Sequence, residues 1–212
     1  RDLSNPVIPL SQGCALAVLR GNLCPDGAVM KSSAASPQLR KHTGPALVFD
    51  THQALSDHIA DPDLDVTKDT VIILRNAGPV GAPGMPEWGN LPIPKKLLQQ
   101  GVTDMVRISA ARMSGTHYGT CILHVAPEAA VGGPLALVKT GDLIELDIAA
   151  GTLNMRVDDA EVDRRRAAFT PQHNVFGRSW AALYQQHVTQ ANEGCDFDFL
   201  QSGSDVPEPP IF

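Results

Sequence analysis

The chain is cut into short apolar runs, most of them bounded by Gly, Pro or Asn. Ala15 to Leu19, Ala46 to Asp50, Thr70 to Leu74, Met105 to Ile108, Cys121 to Val125, Leu135 to Val138, Leu143 to Ile148 and Leu153 to Val157 read as strands rich in Val, Ile and Leu. The 18 Gly and 17 Pro among 212 residues exceed the usual background of about 12%, which argues for many turns and against a helical bundle. Ile144, Leu146 and Ile148 alternate with other residues, as do Leu153, Met155 and Val157, so Ala149-Ala150-Gly151-Thr152 reads as the turn of a hairpin. Helices are expected where start signals stand. Thr51 caps a segment through Leu55 and Ile59, and Pro94 opens Lys95 to Gln100, which Gly101 stops. Asp158 or Asp159 caps a segment through Ala168 whose acidic start and Arg164-Arg165-Arg166 end match the helix dipole. A last helix, Ser179 to Asn192, would bury Trp180, Leu183, Tyr184 and Val188 and end at Gly194. The pattern indicates an α/β domain with a mixed sheet, a form that closure into a barrel with outer helices would satisfy. Without an internal repeat or linker, a single domain over 1–202 is expected, followed by a loosely ordered Pro-rich tail, 203–212.

Charge narrows the partners. The 17 Lys and Arg against 23 Asp and Glu leave a net charge of -6, too acidic for a phosphate-backbone binder and too weak for a disordered acidic tail. Nucleic acid is therefore not an expected partner. The longest purely apolar run, Cys14 to Leu19, falls far short of the roughly 20 residues of a membrane span. The opening Arg1-Asp2 carries neither an initiator Met nor a signal pattern and reads as the start of a piece of something longer. Cys14, Cys24, Cys121 and Cys195 form no Cys-x-x-Cys pair and have no His at ligand spacing, so they read as reduced thiols of a cytoplasmic or organellar protein.

Three segments have the composition of binding loops. Asn76 to Pro92 holds glycines, which allow close backbone approach to a ligand, prolines, which keep it extended, and one charged side chain, Glu87. It reads equally as a covering loop with Glu87 in solvent. Ser109 to Thr120 (Ser-Ala-Ala-Arg-Met-Ser-Gly-Thr-His-Tyr-Gly-Thr) follows a strand with small and hydroxylic residues, common at α/β active sites and in ordinary turns alike. It lacks a Gly-x-Ser-x-Gly elbow, and no His and Asp are assigned as partners for Ser114. His117 and His124 read as surface or core histidines rather than ligands. Gly21 to Lys31 reads by itself as a turn with a Pro-Asp-Gly signature.

In this order the segments resemble the dihydroxy-acid and sugar-acid dehydratase family, from Gly13 to about Leu200. The strings are Gly-Asn-Leu-Cys-Pro-Asp-Gly-Ala-Val-Met-Lys (21 to 31), Pro-Gly-Met-Pro-Glu (83 to 87), Arg-Met-Ser-Gly-Thr-His-Tyr-Gly-Thr (112 to 120) and His-Val-Ala-Pro-Glu-Ala-Ala-Val-Gly-Gly-Pro-Leu-Ala-Leu-Val (124 to 138). The Arg-Met-Ser-Gly-Thr form, the Pro-Lys-Lys-Leu-Leu-Gln-Gln-Gly run (94 to 101) and the Asp-Phe-Asp-Phe-Leu ending are closer to the sugar-acid branch. The resemblance implies a C-terminal domain, a barrel-like swivelling β/β/α unit. A larger N-terminal domain would carry the iron-sulfur cysteines, further Mg²⁺ ligands and a modified lysine. It further implies a cytoplasmic homo-oligomer when full-length, a sugar-acid substrate, Glu87 on Mg²⁺, Ser114 as base and Thr116 in contact with substrate. This chain alone would bind neither cofactor tightly.

The implied chemistry suits those residue types. Converting a 2,3-dihydroxy acid to a 2-keto-3-deoxy acid removes a weakly acidic C2 proton and expels hydroxide from C3, which calls for Lewis acids at both ends. A serine is a poor base unless a cation favours its alkoxide, and the metals would supply that field. One departure stands out: the family usually has an acidic residue where this chain has Ala110. A dihydroxy-acid dehydratase of branched-chain amino-acid synthesis, or a non-catalytic domain sharing the barrel, remain open alternatives at this level.

Overall fold

Val71-Ile72-Ile73-Leu74 offers no polar side chain to water, so a strand built from it needs apolar cover on both faces. In the computed structural model, which describes residues 15–171 and 176–200, all four are buried. Val71 and Ile73 join one cluster with Leu19, Met30, Ile108, Ile122, Leu146 and Leu153. Ile72 and Leu74 join a second with Phe49, Leu55, Leu91, Leu97 and Met105. The first fills the inside of a closed barrel, and the second lies between the barrel wall and an outer layer.

The barrel strands are β1 (Ala17–Gly21), β2 (Cys24–Met30), β3 (Lys41–Phe49), β4 (Val71–Leu74), β5 (Arg107–Ser109), β6 (Cys121–Ala126), β7 (Leu143–Asp147) and β8 (Thr152–Met155), closed in the order β1-β2-β6-β5-β4-β3-β7-β8. Strands β3, β4, β5 and β6 are parallel neighbours. Antiparallel pairs β2 with β6, β3 with β7 and β7 with β8 complete most of the ring, and Arg20 opposite Thr152 closes it in parallel. The mixed α/β barrel expected from the sequence is thus the architecture, with the β7–β8 hairpin where alternation placed it. Among the described residues no helix is long and apolar enough to cross a membrane.

Helices α1 (His52–His58), α2 (Lys95–Gln99), α3 (Asp159–Ala168) and α4 (Trp180–His187) lie outside the strands. The hydroxyl of Thr51 accepts from the Ala54 amide at 3.1 Å and the carboxylate of Asp158 from the Glu161 amide at 2.9 Å, each satisfying an orphan donor of the first turn. Arg165 anchors α3 to the barrel by donating to Asp142 at 3.0 Å while also holding Glu161 at 2.7 Å.

Three expectations need correction. Gly21 to Lys31 is not simply a turn, because Cys24–Met30 forms β2, with Gly27 at φ 117 where the register slips against β6. A bulge of this kind accommodates the Pro-Asp-Gly signature within a strand. Leu135 to Val138 is not a strand: Pro134–Leu137 is a 3-10 turn, and that geometry brings Leu135 and Val138, three apart, onto one side facing the barrel interior. Helix α4 stops at His187, and Val188 instead bridges Phe197. Val188 is buried, whereas Trp180 is 70% and Leu183 39% exposed, so the apolar face expected of a longer helix is not covered. The tail at 203–212 lies outside the described residues.

One buried ion pair sits at the foot of β5. Arg107 Nη2 meets Asp104 at 3.3 Å, and both side chains are almost fully excluded from solvent. Arg107 also donates to the carbonyls of Leu91 (2.9 Å), Met105 (3.3 Å) and Tyr118 (3.4 Å) and to the Asn90 side chain (3.3 Å). Asp104 accepts from the Thr120 amide and hydroxyl, both at 2.8 Å, and from the Ser36 amide at 3.1 Å. Gly119, at φ 106, passes so close that a Cβ would lie 2.1 Å from Arg107 Nη2. Burial pushes the Asp104 carboxyl up, but the Thr120 and Ser36 hydrogen bonds outweigh it and hold the group below its ordinary value of 3.8. Because the folded value is depressed, this contribution to stability is complete above the unfolded value and is lost as pH falls through the folded one. Asp104→Ala strands a buried guanidinium and should cost about 3–5 kcal/mol in urea unfolding. It should also flatten the loss of stability on the acid side. A cost below about 1 kcal/mol would show that the pair does not hold the barrel.

Candidate active site

The loops at 75–94 and 110–120 leave the carboxyl ends of β4 and β5, parallel strands on which Leu74 stands level with Ser109. The carboxyl ends of neighbouring parallel strands are where α/β sheets most often place a ligand. Both loops turn back along the wall side by side, joined to each other at two levels and held at a third by a residue beyond β6.

At the upper level Glu128, just beyond β6, is fully buried. Its carboxylate accepts from the amides of Val80 (2.7 Å) and Gly81 (2.9 Å) and from the Gln190 side chain (3.1 Å), while its own amide donates to Gln190 (2.9 Å). Burial pushes the Glu128 carboxyl up, and these hydrogen bonds pull it back only in part. Gly78 lies against it, where a Cβ would stand 2.5 Å from Glu128 Oε2 and 2.9 Å from the Ala110 methyl. The alanine at 110 therefore adjoins a buried carboxylate.

At the middle level Arg112 clamps the facing loop. Its Nη1 donates to Glu87 Oε1 at 2.9 Å, its Nε to the Met85 carbonyl at 2.5 Å, and its carbonyl accepts from the Gly89 amide at 2.9 Å. Met85 adopts φ 44, a left-handed conformation rare for a residue with a side chain. Its buried side chain and the bond from Arg112 to its carbonyl hold it there. Glu87 is half-exposed, and its Oε2 carries no hydrogen bond among the described residues.

Two residues beyond Arg112, the Ser114 and Thr116 hydroxyls stand 2.9 Å apart, and the Thr116 amide donates to Ser114 Oγ at 3.4 Å. Ser114 is half-buried and Thr116 exposed. At the lower level Asn90 meets His117 at 2.9 Å, beside the Arg107 bonds described above. His124, on β6, is half-buried, and burial, then the Arg112 charge, push its imidazole below the ordinary value.

The three residues singled out from the sequence thus lie on two facing loops, Glu87 on one, Ser114 and Thr116 on the other, with Arg112 as the link. Sequence reasoning missed Arg112, Glu128 and the Asp104–Arg107 pair. Arg112 had a signal, being the lone fixed cation in a small, hydroxylic segment, and Glu128 another, as the lone acid between two apolar runs.

Among the described residues no group of three or more His, Cys, Asp or Glu could hold a metal ion. Burial pushes the thiols of Cys24 (to about 12), Cys121 and Cys195 up, the reverse of a ligating thiolate, and Cys14 lies outside the described residues. The described residues do not fit an iron-sulfur cluster. Glu87 fits one oxygen ligand of a hard divalent cation, which commonly takes only one or two carboxylates from protein.

Residues 2–195 match the family described as dihydroxy-acid/6-phosphogluconate dehydratase C-terminal. The chain belongs to this family. It is 76% identical over 211 residues to a 6-deoxy-6-sulfo-D-gluconate dehydratase of Pseudomonas putida, covering 100% of this chain and 36% of the relative. It is 53% identical over 207 residues to an L-arabonate dehydratase of Azospirillum brasilense, with 94% and 36% covered. Dihydroxy-acid dehydratase 1 of Methanosarcina acetivorans is 41% identical over 189 residues, with 88% and 33% covered. The chain spans about a third of the length of these dehydratases.

In this member of the family the upper tie is testable by itself. A hydrogen bond to a charged acceptor contributes about 1.5–3 kcal/mol, and about 1.4 kcal/mol is tenfold in an opening equilibrium. Glu128→Ala should therefore raise hydrogen exchange at the Val80 and Gly81 amides at least about tenfold, with the amides of β4 unchanged. Unaltered protection at Val80 and Gly81 would remove Glu128 as the anchor of the loop.

Proposed function

We propose that the chain is the C-terminal part of a hydro-lyase that dehydrates a sugar acid to a 2-keto-3-deoxy acid. The observation that carries this reading is the pairing of two loops by Arg112, which holds the Glu87 carboxylate of one loop and stands two residues before Ser114 on the other, where Ser114 Oγ accepts from the Thr116 amide and shares a hydrogen bond with the Thr116 hydroxyl. The 76% identity to the sulfogluconate dehydratase, against 41% to a dihydroxy-acid dehydratase, favours a sugar acid over a branched-chain dihydroxy acid.

In this reading Ser114 Oγ takes the proton from C2 of the substrate. The electron pair of the C2–H bond becomes the C2–C3 double bond, the C3–O bond breaks, and the departing hydroxide takes up the proton that Ser114 Oγ received, leaving as water and restoring the base. The resulting enol tautomerises to the keto acid. Donors aimed at Ser114 Oγ stabilise its charged form, the form able to act as base. Thr116, exposed beside it, is placed to hydrogen-bond a substrate hydroxyl. A Mg²⁺ ion with Glu87 as one ligand would neutralise the charge that develops next to the substrate carboxylate. Arg112 orients Glu87 through Oε1 and leaves Oε2 for that ligand. The iron-sulfur cluster and the remaining cation ligands belong, in this proposal, to the rest of the full-length protein. That protein would be a cytoplasmic homo-oligomer.

The test is turnover by the full-length protein, with its cofactors loaded, on 6-deoxy-6-sulfogluconate, arabonate and a branched 2,3-dihydroxy acid. The two sugar acids should be preferred. Ser114→Ala should lower kcat by at least about 10³-fold while leaving the cluster absorbance intact. Near-normal turnover in that variant would refute the assigned base, and no turnover of any of the three acids by the wild type would favour a non-catalytic role.

A further inference from the structure

Lys31 has no part in the mechanism above, yet its ammonium reaches the turn that carries Ser114. It follows directly on β2, whose Met30 pairs with Ile122 of β6, so it leaves the wall beside the strand into which the 110–120 loop returns. Its Nζ donates to the Gly115 carbonyl at 3.0 Å. That carbonyl and the Thr116 amide belong to one peptide unit, and the Thr116 amide donates to Ser114 Oγ at 3.4 Å. The peptide is planar and conjugated, so a cation on its oxygen draws electron density from its nitrogen and makes the N–H a stronger donor. The Thr116 hydroxyl lies 2.9 Å from the same Oγ and is within reach to donate to it once Ser114 is deprotonated. Arg112, the other fixed cation nearby, directs its guanidinium to Met85 and Glu87 on the facing loop.

We propose that Lys31 is a positioning residue for the dehydration, acting through the Gly115–Thr116 peptide to hold the Ser114 hydroxyl and to stabilise its oxyanion form. The inference rests on Ser114 being the base. It gives this chain a cation of its own for that task, in addition to any field from bound metals. An ammonium one peptide away favours the charged form of an oxygen acid, and a shift of one pH unit is tenfold in the alkoxide present at neutral pH. The other charged or titratable groups about the turn are Arg112, His117 and Tyr118 on the same loop, Glu87 across from it, His124 on β6, and the Arg107–Asp104 pair at the foot of the loop. They are the same in every Lys31 variant, so a displaced profile reports on Lys31.

The experiment is the pH dependence of kcat and KM for the full-length, cofactor-loaded protein on 6-deoxy-6-sulfogluconate. Lys31→Met and Lys31→Gln should each lower kcat about 10- to 100-fold at neutral pH, change KM less than about threefold, and move the rising limb of the kcat profile up by about one pH unit. Lys31→Gln keeps a donor for Gly115 without the charge, and Lys31→Arg should recover most of the rate and the original limb. Should Lys31→Met fail to fold, the comparison of Lys31→Gln with Lys31→Arg decides. A loss of rate with the limb in its wild-type position, or full recovery in Lys31→Gln, overturns the electrostatic role. Ser114→Ala is measured alongside. An active Ser114→Ala defeats the base assignment and the relay together, whereas an inactive Ser114→Ala with wild-type behaviour in Lys31→Met defeats the relay alone.

Discussion

The Asp104–Arg107 pair is the fixed point to which both site loops return. Arg107 spends its donors on the chain at Leu91, where one loop ends, and at Tyr118, where the other ends, and Asp104 receives the amide and hydroxyl of Thr120 as the chain re-enters the wall. A buried ion pair adds little net stability over an apolar substitute, because desolvation offsets most of the attraction. What it imposes here is geometry: five donors in a rigid fork find their acceptors in only one arrangement of the two loops. Gly119 is part of that arrangement, since a side chain there would displace the guanidinium.

Glu128 does for the upper end of the 75–94 loop what Arg107 does for its lower end. It takes the backbone amides of Val80 and Gly81 and, through Gln190, joins the segment beyond α4 to the same point. Between these two buried anchors the contacts are of another kind. Arg112 and Glu87 are both half-exposed, and an ion pair in that setting contributes about 0–1 kcal/mol. The 75–94 loop is therefore held by buried groups toward both ends and only weakly where Glu87 lies. Such a distribution lets Glu87 exchange Arg112 for another partner without unfolding either loop.

The wall of the barrel was legible in the sequence because its strands are Val- and Ile-rich runs with polar stops, and α1 and α3 because Thr51 and Asp158 cap them as their side chains predict. Strand β2 was not, since Pro25, Asp26 and Gly27 have turn chemistry and the bulge that absorbs them depends on pairing with β6, far along the chain. Helix α4 was read too long for a similar reason. Gln190 continues the helical pattern, yet its side chain is committed to Glu128, 62 positions away, and the chain leaves the helix to reach it. At the site, the family strings pointed to Glu87, Ser114 and Thr116; Arg112 and Glu128 stand inside those strings too, but that Arg112 grips the facing loop and Glu128 the amides of Val80 and Gly81 shows only in the folded contacts. A contact such as Lys31 to Gly115 becomes visible only once β2 and β6 are paired.

The concentration of charged side chains around these loops follows from the topology. Strands β5 and β6 are parallel neighbours, and parallel strands usually need a crossover of a dozen or more residues, often helical. Here the connection is residues 110–120 alone, too short for a helix and its turns, so most of its backbone groups find no partner within the loop. They are satisfied from outside: Ala111 by the His124 amide, Arg112 by the Gly89 amide, Gly115 by Lys31, Tyr118 by Arg107, Gly119 by the Ala34 carbonyl. Each such bond brings a donor or acceptor from a different strand or loop to the same strip of the barrel surface. A chain stretched in this way presents its small hydroxylic residues with the surrounding polar groups already oriented, and this is the condition under which a serine hydroxyl, weak in water, can be held as a base.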